Sequence, residues 1–256
     1  MEVCATEAVP AAMKNNPVFS VLHATLGRPQ KAIAAMWRFH NHAKEPEDVE
    51  YIFSVNHDDP TREELAKLLE SVGKTLRFGR YFTVVSDALG SAAAWNGAAL
   101  VSKGEILVQG QDDVEPPFDW DEELIKAIIG PPHIHLDTVK PFFIAVRDGY
   151  RKDALCCTAI MSRSYMEMEG HFLFPGYLSV FSDDEVTYRA LRNNRDGRAR
   201  LIPTEIVFLH RHHYHDKAVP WDDTYARENS PRAYAVGEKL FHERNPRAAT
   251  DGLKTW

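Results

Sequence analysis

The stretch Ile106-Leu-Val-Gln-Gly-Gln-Asp-Asp113 reads as a short apolar strand that stops at Gly110 and runs directly into two carboxylates. Before it lies a helix of small residues, Gly90 to Val101, and before that the β-rich run Tyr81-Phe-Thr-Val-Val85. Further upstream, Val49-Glu-Tyr-Ile-Phe-Ser-Val55 ends in Asn56-His-Asp-Asp-Pro60. Thr61 follows as a cap for a helix with Leu65, Leu68, Leu69 and Val72 at helical spacing. The first such unit is Val18-Phe-Ser-Val-Leu22, punctuated by Gly27 and Pro29 and followed by Ile33, Met36, Trp37 and His40 on one helical side. Strand and helix thus alternate four times with short connections. That is the pattern of an α/β domain with a mainly parallel central sheet flanked by helices.

Downstream the order changes. Phe142-Phe-Ile-Ala-Val146 and Leu155-Cys-Cys-Thr-Ala-Ile-Met161 read as strands around a turn at Asp148-Gly149, and Gly170 to Gly176 as an aromatic loop. A helix from Ser182 or Asp183 to about Asn193, with Ser182 as its cap, precedes a last strand, Thr204 to Leu209, and a last helix, Pro231 to Arg244. No repeat or linker divides the chain, so one continuous domain is expected.

The chain has 256 residues, 44% hydrophobic and 26% charged, long enough to bury a core without disulfides or structural metal. Thirty Lys and Arg against 37 Asp and Glu give −7, which argues against coating nucleic acid or anionic membrane by bulk charge. Cys4, Cys156 and Cys157 are an odd number, two of them adjacent, and read as reduced thiols of a cytoplasmic protein. The start, MEVCATEAVPAAMKNN, has an early Glu and no apolar core, so no secretory signal is expected. No run reaches the roughly 18 apolar residues of a membrane span.

Three clusters carry chemistry, each with a plainer reading beside it. Gln111-Asp112-Asp113 follows a strand end, where open α/β sheets bind ligands. Two adjacent carboxylates there either hold a hard cation, Mg²⁺ or Mn²⁺, shared with phosphates, or form a solvated acidic turn. In His210-Arg-His-His-Tyr-His215, extended alternation puts His210 and His212 on one face, either as ligands or as a surface turn. Ser182-Asp-Asp-Glu185 opens a helix, either as a site or as ordinary first-turn acids favoured by the dipole.

The order of these signals resembles family 2 glycosyltransferases. Thr25-x-x-Arg28-Pro29, a strand ending in acids, and Trp95-Asn96-Gly97 before a strand ending in Asp112-Asp113 resemble the nucleotide-binding half. Ala154 to Arg163 and Ser182 to Arg189 resemble the acceptor half. His210 to His213, followed by Asp222-Asp-Thr-Tyr225, is similar to a C-terminal metal-histidine segment. The resemblance covers about Val18 to Arg244, and is to compact phage and environmental members. It implies a single GT-A-like domain over 17–256, after an N-terminal extension over 1–16. Residues 17–117 would be the nucleotide half and 118–256 the acceptor half. The reaction implied moves a sugar from a nucleotide donor, most often a UDP-sugar, to an acceptor hydroxyl.

By that resemblance Thr25 and Arg28 lie near uracil and diphosphate, Asn56 or Asp58 faces the base, and Asn96, Gln111 and Asp112 line the nucleotide. Gln111 stands where an acid often contacts the ribose; an amide oxygen can still accept. Asp113 would hold Mn²⁺ or Mg²⁺ together with His212, or else His210, and Arg28 or Arg211 would bond phosphate oxygens. The family's general base lies six residues before an arginine. Counting back from Arg189 reaches Asp183, with Asp184 next. A single base opposite the leaving group implies inversion.

For the acceptor, Arg189, Arg192, Arg195, Arg198 and Arg200 form either a phosphate-binding strip or an ordinary helix end. Some of the compact members glycosylate modified bases in DNA, which makes a hydroxymethylated pyrimidine one acceptor to test; no membrane partner is expected. The loop His171 to Tyr177 either stacks on a sugar or packs the core, and Trp221 to Ser230 reads as a lid. Cys156 and Cys157 read as buried packing residues. Two rivals stand beside this reading: a nucleotidyltransferase, which lacks its Gly-rich phosphate loop here, and a non-catalytic nucleotide-sugar-binding module.

Overall fold

The computed structural model describes residues 17–86, 90–130 and 140–251, with the strand β1 (Cys4–Ala8). β2 (Phe19–Ala24), β3 (Val49–Asn56), β4 (Arg80–Ser86) and β5 (Ile106–Gly110) run parallel to one another. They are covered on both faces, so their sequences are near-continuous apolar runs instead of alternating ones. β7 (Phe142–Arg147) and β9 (Arg200–Val207) share their direction. β8 (Ile160–Ser162) is inserted antiparallel between β5 and β7, and β1 adds an antiparallel edge on β4. The sheet order is β1-β4-β3-β2-β5-β8-β7-β9.

One face of the sheet is covered by α1 (Pro29–His42), α2 (Arg62–Gly73) and α4 (Trp120–Ile129). Their Ile33, Met36, Phe39, Leu65, Trp120 and Leu124 pack on Phe19, Val21, Tyr51 and Phe53. Pro29 opens α1, where its missing N–H leaves no bond unmade. The other face carries α3 (Ser91–Val101), α5 (Arg163–Glu169) and α6 (Ser182–Arg195). Ala92, Trp95 and Ala98 of α3 pack there with Leu22, Ile52 and Phe82. β6 (Val114–Glu115) pairs antiparallel with β10 (Leu209–His210), and α7 (Asp223–Glu228) and α8 (Pro231–Arg244) complete the described chain. No described helix is long and apolar enough to cross a membrane.

Three sequence expectations are corrected. The strand expected over Leu155–Met161 is confined to Ile160–Ser162, because backbone and side chain of Gln109 both bond Ala159 (2.9 and 2.8 Å) and the Cys156 N–H turns to Thr187 Oγ1 (3.0 Å). The strand expected from Thr204 starts at Arg200. Pro203 is tolerated within it because β9 is an edge. Ser182 is not the cap of α6. Phe181 holds that position at φ 70°, and the Ser182 hydroxyl donates to Ser179 O at 2.8 Å. α4, α5, α7 and β6 were not anticipated.

Candidate active site at the switch point of the sheet

α1 connects β2 to β3 on one side, whereas β5 continues the sheet on the other, so the carboxyl ends of β2 and β5 part at a topological switch point. Crevices at such points bind ligands in open α/β sheets. Thr25 to Arg28 leave β2 there and Gln111 to Asp113 leave β5. Gly27 adopts φ 68°, the left-handed turn that favours glycine, and its N–H donates to Asp59 Oδ2 at 3.1 Å.

A cavity of about 310 Å³ opens between these loops, lined by Arg28, Lys31, Arg38, Arg211, Asp112 and Asp113, together with Tyr225, Asp216 and residues 218–220. Asp112 accepts from His23 Nε2 at 2.9 Å, lies 3.7 Å from Arg28, and its carbonyl accepts from Arg38 at 2.7 Å. Arg28 is gripped further by Asp222 and lies 4.4 Å over the Tyr225 ring; Lys31 also reaches Asp222, at 2.8 Å. The Asp222 carboxyl is held well below the ordinary range by Arg28 and Lys31 despite its partial burial.

Asp113 faces His210 because β10 pairs with β6. His210 lies opposite Val114, and the Arg211 N–H donates to Asp113 O at 2.8 Å. Asp113 Oδ1 is 3.4 Å from His210 Nε2, and Oδ2 accepts from the Tyr225 hydroxyl. Burial works against the charge on Asp113, yet His210 and Tyr225 hold its carboxyl well below the usual range. His210 is raised in turn, burial being outweighed by Asp113, Asp148 and Asp183. His212, 5.4 Å from His210 between ring centres, is lowered to about 4 by burial and by its neighbour, and its Nδ1 accepts from the Tyr214 N–H.

Asp183 and Asp184 open α6 within electrostatic reach of His210 and Arg151. Burial raises Asp183, and burial together with Asp183 raises Asp184 to about 7. The Asp184 N–H donates to Asp183 Oδ1 at 3.1 Å. The third acid of the turn, Glu185, belongs elsewhere: it accepts from Tyr177 (2.6 Å), Arg189 (2.7 Å) and Arg244 (2.8 Å) in a buried cluster that ties α8 to α6.

Of the expected residues, Arg28, Asp112, Asp113 and Arg211 line the cavity, His210 reaches it through Asp113, His212 stands beside His210, and Asp183 is within electrostatic reach of His210. Other expected residues stand apart. Asn96 spends its amide on Ala92 O, Leu173 O and the Phe172 N–H, so it braces the aromatic loop. Gln111 donates to Cys157 O at 2.8 Å. Asp58 is exposed and Asn56 half-buried, whereas the neighbouring Asp59 is buried and joins Gly27 to Thr61. Thr25 is buried with its hydroxyl unpartnered among the described residues.

The arginines of the run each have a partner within the chain. Arg189 pairs with Glu185 and Glu169, Arg192 with Asp196, Arg195 with Asp196 and Asp251, Arg198 with Asn193, and Arg200 with Ile128 O. Phe172 and Tyr177 pack the core. Cys156 is buried and Cys157 half-buried, both free thiols. Burial pushes Cys156 up to about 12 and Cys157 higher, which leaves neither a thiolate.

Lys31, Arg38, His23 and Tyr51 escaped the sequence reading. For the first two a signal existed: Arg28, Lys31 and Arg38 are spaced by three and seven, one face of a helix.

Among the described residues no three His, Cys, Asp or Glu side chains converge as a metal-holding group. Asp113 and His210 nevertheless form a two-residue oxygen-and-nitrogen donor set. That set suits Mg²⁺ or Mn²⁺ when a substrate's phosphates and water supply the remaining ligands.

No protein-family model matches the chain, and no curated protein matches it. Solved structures do. A mannosyltransferase from Pyrobaculum calidifontis, PcManGT, in complex with GDP-Man and Mn²⁺ is similar over 96% of this chain and 79% of its own, at TM-score 0.55 and 13% identity. TarS 1–349 of S. aureus matches at TM-score 0.52 and 12% identity over 74% of this chain, which spans only 59% of the TarS length. The same protein in complex with UDP-GlcNAc matches over 91% of this chain and 74% of its own, at TM-score 0.52 and 11% identity. With its strand order and its site at the sheet's switch point, the chain has a GT-A-like glycosyltransferase fold.

Proposed function

We propose that the chain is a metal-dependent, inverting glycosyltransferase that moves a sugar from a nucleotide-sugar, a UDP-sugar foremost, to an acceptor hydroxyl. The observation that carries this reading is the cavity in which Arg28, Lys31, Arg38 and Arg211 surround Asp112 and Asp113, with an acid pair beyond His210. Cations in a walled crevice bind a diphosphate by charge-assisted hydrogen bonds. Similar folds bound to UDP-GlcNAc or to GDP-Man with Mn²⁺ support the same donor class.

Arg28 and Lys31 carry the donors best placed for phosphate oxygens, and both pair with Asp222. Asp113 and His210, with His212 behind them, are the residues that would hold Mn²⁺ or Mg²⁺. Such an ion, when bound, offsets charge developing on the departing diphosphate. Asp183 and Asp184 share a turn in which burial keeps the carboxyls avid for a proton, so one of them accepts the acceptor's hydroxyl proton as that oxygen attacks the anomeric carbon. Attack from the side opposite the diphosphate inverts the centre. Trp221 to Ser230, which reaches Arg28, Lys31 and Asp113 through Asp222 and Tyr225, is the lid of the donor site. Each arginine at the α6 end has a partner within the chain, so the run by itself carries no argument for a nucleic-acid acceptor. DNA with hydroxymethylated pyrimidines enters an acceptor screen as one arm beside glycans and small hydroxyl compounds.

Thermal unfolding with UDP or GDP, each with and without Mn²⁺, tests the donor site. Saturation at about 100 times the dissociation constant adds about 2.7 kcal/mol, which raises the midpoint by roughly 5–10 °C. A shift with UDP and Mn²⁺ together supports a UDP-sugar donor, a shift with GDP alone moves the donor to a GDP-sugar, and no shift overturns the reading. Asp183→Asn should keep nucleotide binding and lose about 10²- to 10⁴-fold in turnover. Unchanged hydrolysis or transfer by that variant refutes the assigned base, and a nucleotide-binding chain without any turnover is a binding module.

A further inference from the structure

Behind Asp112 the core holds a chain of polar groups that packing alone does not require. His23 is fully buried on β2, its ring 5.1 Å from that of Phe53 and 5.8 Å from that of Tyr51. Both its nitrogens are engaged: Nδ1 with the Tyr51 hydroxyl at 2.6 Å and Nε2 with Asp112 Oδ1 at 2.9 Å. Tyr51, also fully buried, touches Phe39, Phe53 and Phe78 edge-on or tilted.

The protons of this chain can be counted. A carboxylate only accepts, so Nε2 of a neutral imidazole carries the hydrogen and Nδ1 accepts from Tyr51. Tyr51 retains its proton to give, because burial and the Asp112 charge push its ionisation well above the usual value. The direction of donation is therefore Tyr51 to His23 to Asp112. Beyond Asp112 the chain emerges at the cavity wall, where its other oxygen, Oδ2, meets Arg28 at 3.7 Å.

The backbone is shaped to make this contact. His23 pairs in register with Gly110, the residue that ends β5 two positions before Asp112. A Cβ on Gly110 would stand 2.9 Å from Val21 Cγ1 and 3.1 Å from His23 Cβ, so glycine lets the turn fold down over the imidazole. Trp95 Nε1 donates to Gly110 O at 3.0 Å and holds that turn from the opposite face.

We propose that His23 and Tyr51 are positioning residues: the buried Tyr51–His23–Asp112 chain orients the Asp112 carboxylate, and through it Arg28, to receive the diphosphate of a nucleotide donor. This rests on the donor-site reading above. The two residues reach no ligand themselves; they fix the rotamer and hydrogen-bonding state of one that does, as outer partners do for ligating histidines and carboxylates.

The test is a double-mutant cycle read by calorimetric binding of UDP and of GDP, each with Mn²⁺, to the full chain. Tyr51→Phe deletes one hydroxyl and keeps the ring contacts. It should weaken nucleotide binding about tenfold. Asp112→Asn should weaken it at least as much, and Tyr51→Phe added to Asp112→Asn should change nothing further, because the path to the ligand is already cut. Additive losses, or a Tyr51→Phe chain that binds like the unaltered one, overturn the relay while leaving the donor site intact. An unaltered chain that binds neither nucleotide overturns the donor site and the relay with it. A second readout needs no variant: the imidazole ¹⁵N spectrum of the unaltered chain should show His23 protonated on Nε2 and bare on Nδ1, and the opposite tautomer refutes the proposal.

Discussion

β2 and β3 carry two buried polar networks on opposite faces of the sheet, a lower one centred on Glu50 and an upper one that starts at Tyr51. Near the amino ends, Glu50 accepts from Ser20 Oγ (2.6 Å), Lys103 N (2.5 Å) and Gly104 N (3.0 Å), with Arg80 at 3.5 Å. Arg163 from α5 closes the arrangement on Gly104 O and Ser102 Oγ. On the other face Tyr51 reaches up to His23, near the carboxyl end of β2, and His23 leads on to Asp112 and Arg28. Both networks place polar side chains where apolar ones would pack as well. The lower one ends on the chain's own backbone, so it fastens α3, β5 and α5 to the sheet. The upper one ends on a cavity wall, so it prepares groups for something from outside. Where a buried network terminates decides whether its loss is felt as stability or as binding.

The largest effect expected from this contrast is at the lower network. Glu50→Ala removes the buried carboxylate that accepts from Ser20 Oγ, Lys103 N and Gly104 N beside Arg80 and should cost about 3–5 kcal/mol, seen as a melting midpoint lower by roughly 6–20 °C. Nucleotide affinity of the chain that remains folded should be unchanged. A Glu50→Ala chain that melts normally yet binds nucleotide poorly would break the contrast.

Next is Arg28→Ala at the mouth of the upper network. Loss of charged hydrogen bonds to phosphate should weaken UDP or GDP binding about 10- to 100-fold by calorimetry, with a smaller change in melting than Glu50→Ala produces. Equal loss of stability and binding would place Arg28 with the lower network's kind.

The pH response sharpens the contrast on the acceptor side. Asp184 titrates near 7 in the folded chain against about 3.8 for an ordinary aspartate, raised by burial and by Asp183. Between those values the folded state holds more protons than the unfolded one, so this pair's contribution to stability falls as pH rises from about 4 to 7. Activity runs the opposite way. A base must be unprotonated, so turnover should drop about tenfold per unit below pH 7. Asp184→Asn should flatten the melting response in that window; an unchanged slope refutes the raised Asp184 carboxyl. The smallest effect is expected at Arg195, whose exposed pairs with Asp196 and Asp251 predict an unchanged melting midpoint on Arg195→Ala and no change in retention on DNA.

The first half of the chain was legible because its strands are buried on both faces. Val49, Tyr51, Ile52, Phe53 and Val55 are all fully covered, and a run of that kind announces a central parallel strand. The second half resisted for a stated reason in each case. β8 is three residues long and starts only after Ala159, whose bonding Gln109 takes over. α4 has Trp120, Leu124 and Ile128 at helical spacing, a signal that the acids of its first turn obscured. Of the candidate site, Arg28, Asp112, Asp113 and His210 could be named from residue type and position after strands. Asn96 could be named too, yet it braces a loop, because an amide in a helix bonds whatever backbone the fold brings beside it.

What local sequence carries is the alternation of strands and helices, the acids and cations at strand ends, and a net charge of −7. These are local properties, carried by periods of two and 3.6 residues and by turn chemistry. Only the tertiary structure decided which polar groups meet. Tyr51 and Asp112 lie 28 and 89 residues from His23 along the chain, and become its neighbours when β2, β3 and β5 align in register. His210 reaches Asp113 only through the pairing of β10 with β6. Hydrogen bonds act over about 3 Å, and no local pattern encodes a distance of that kind between segments so far apart.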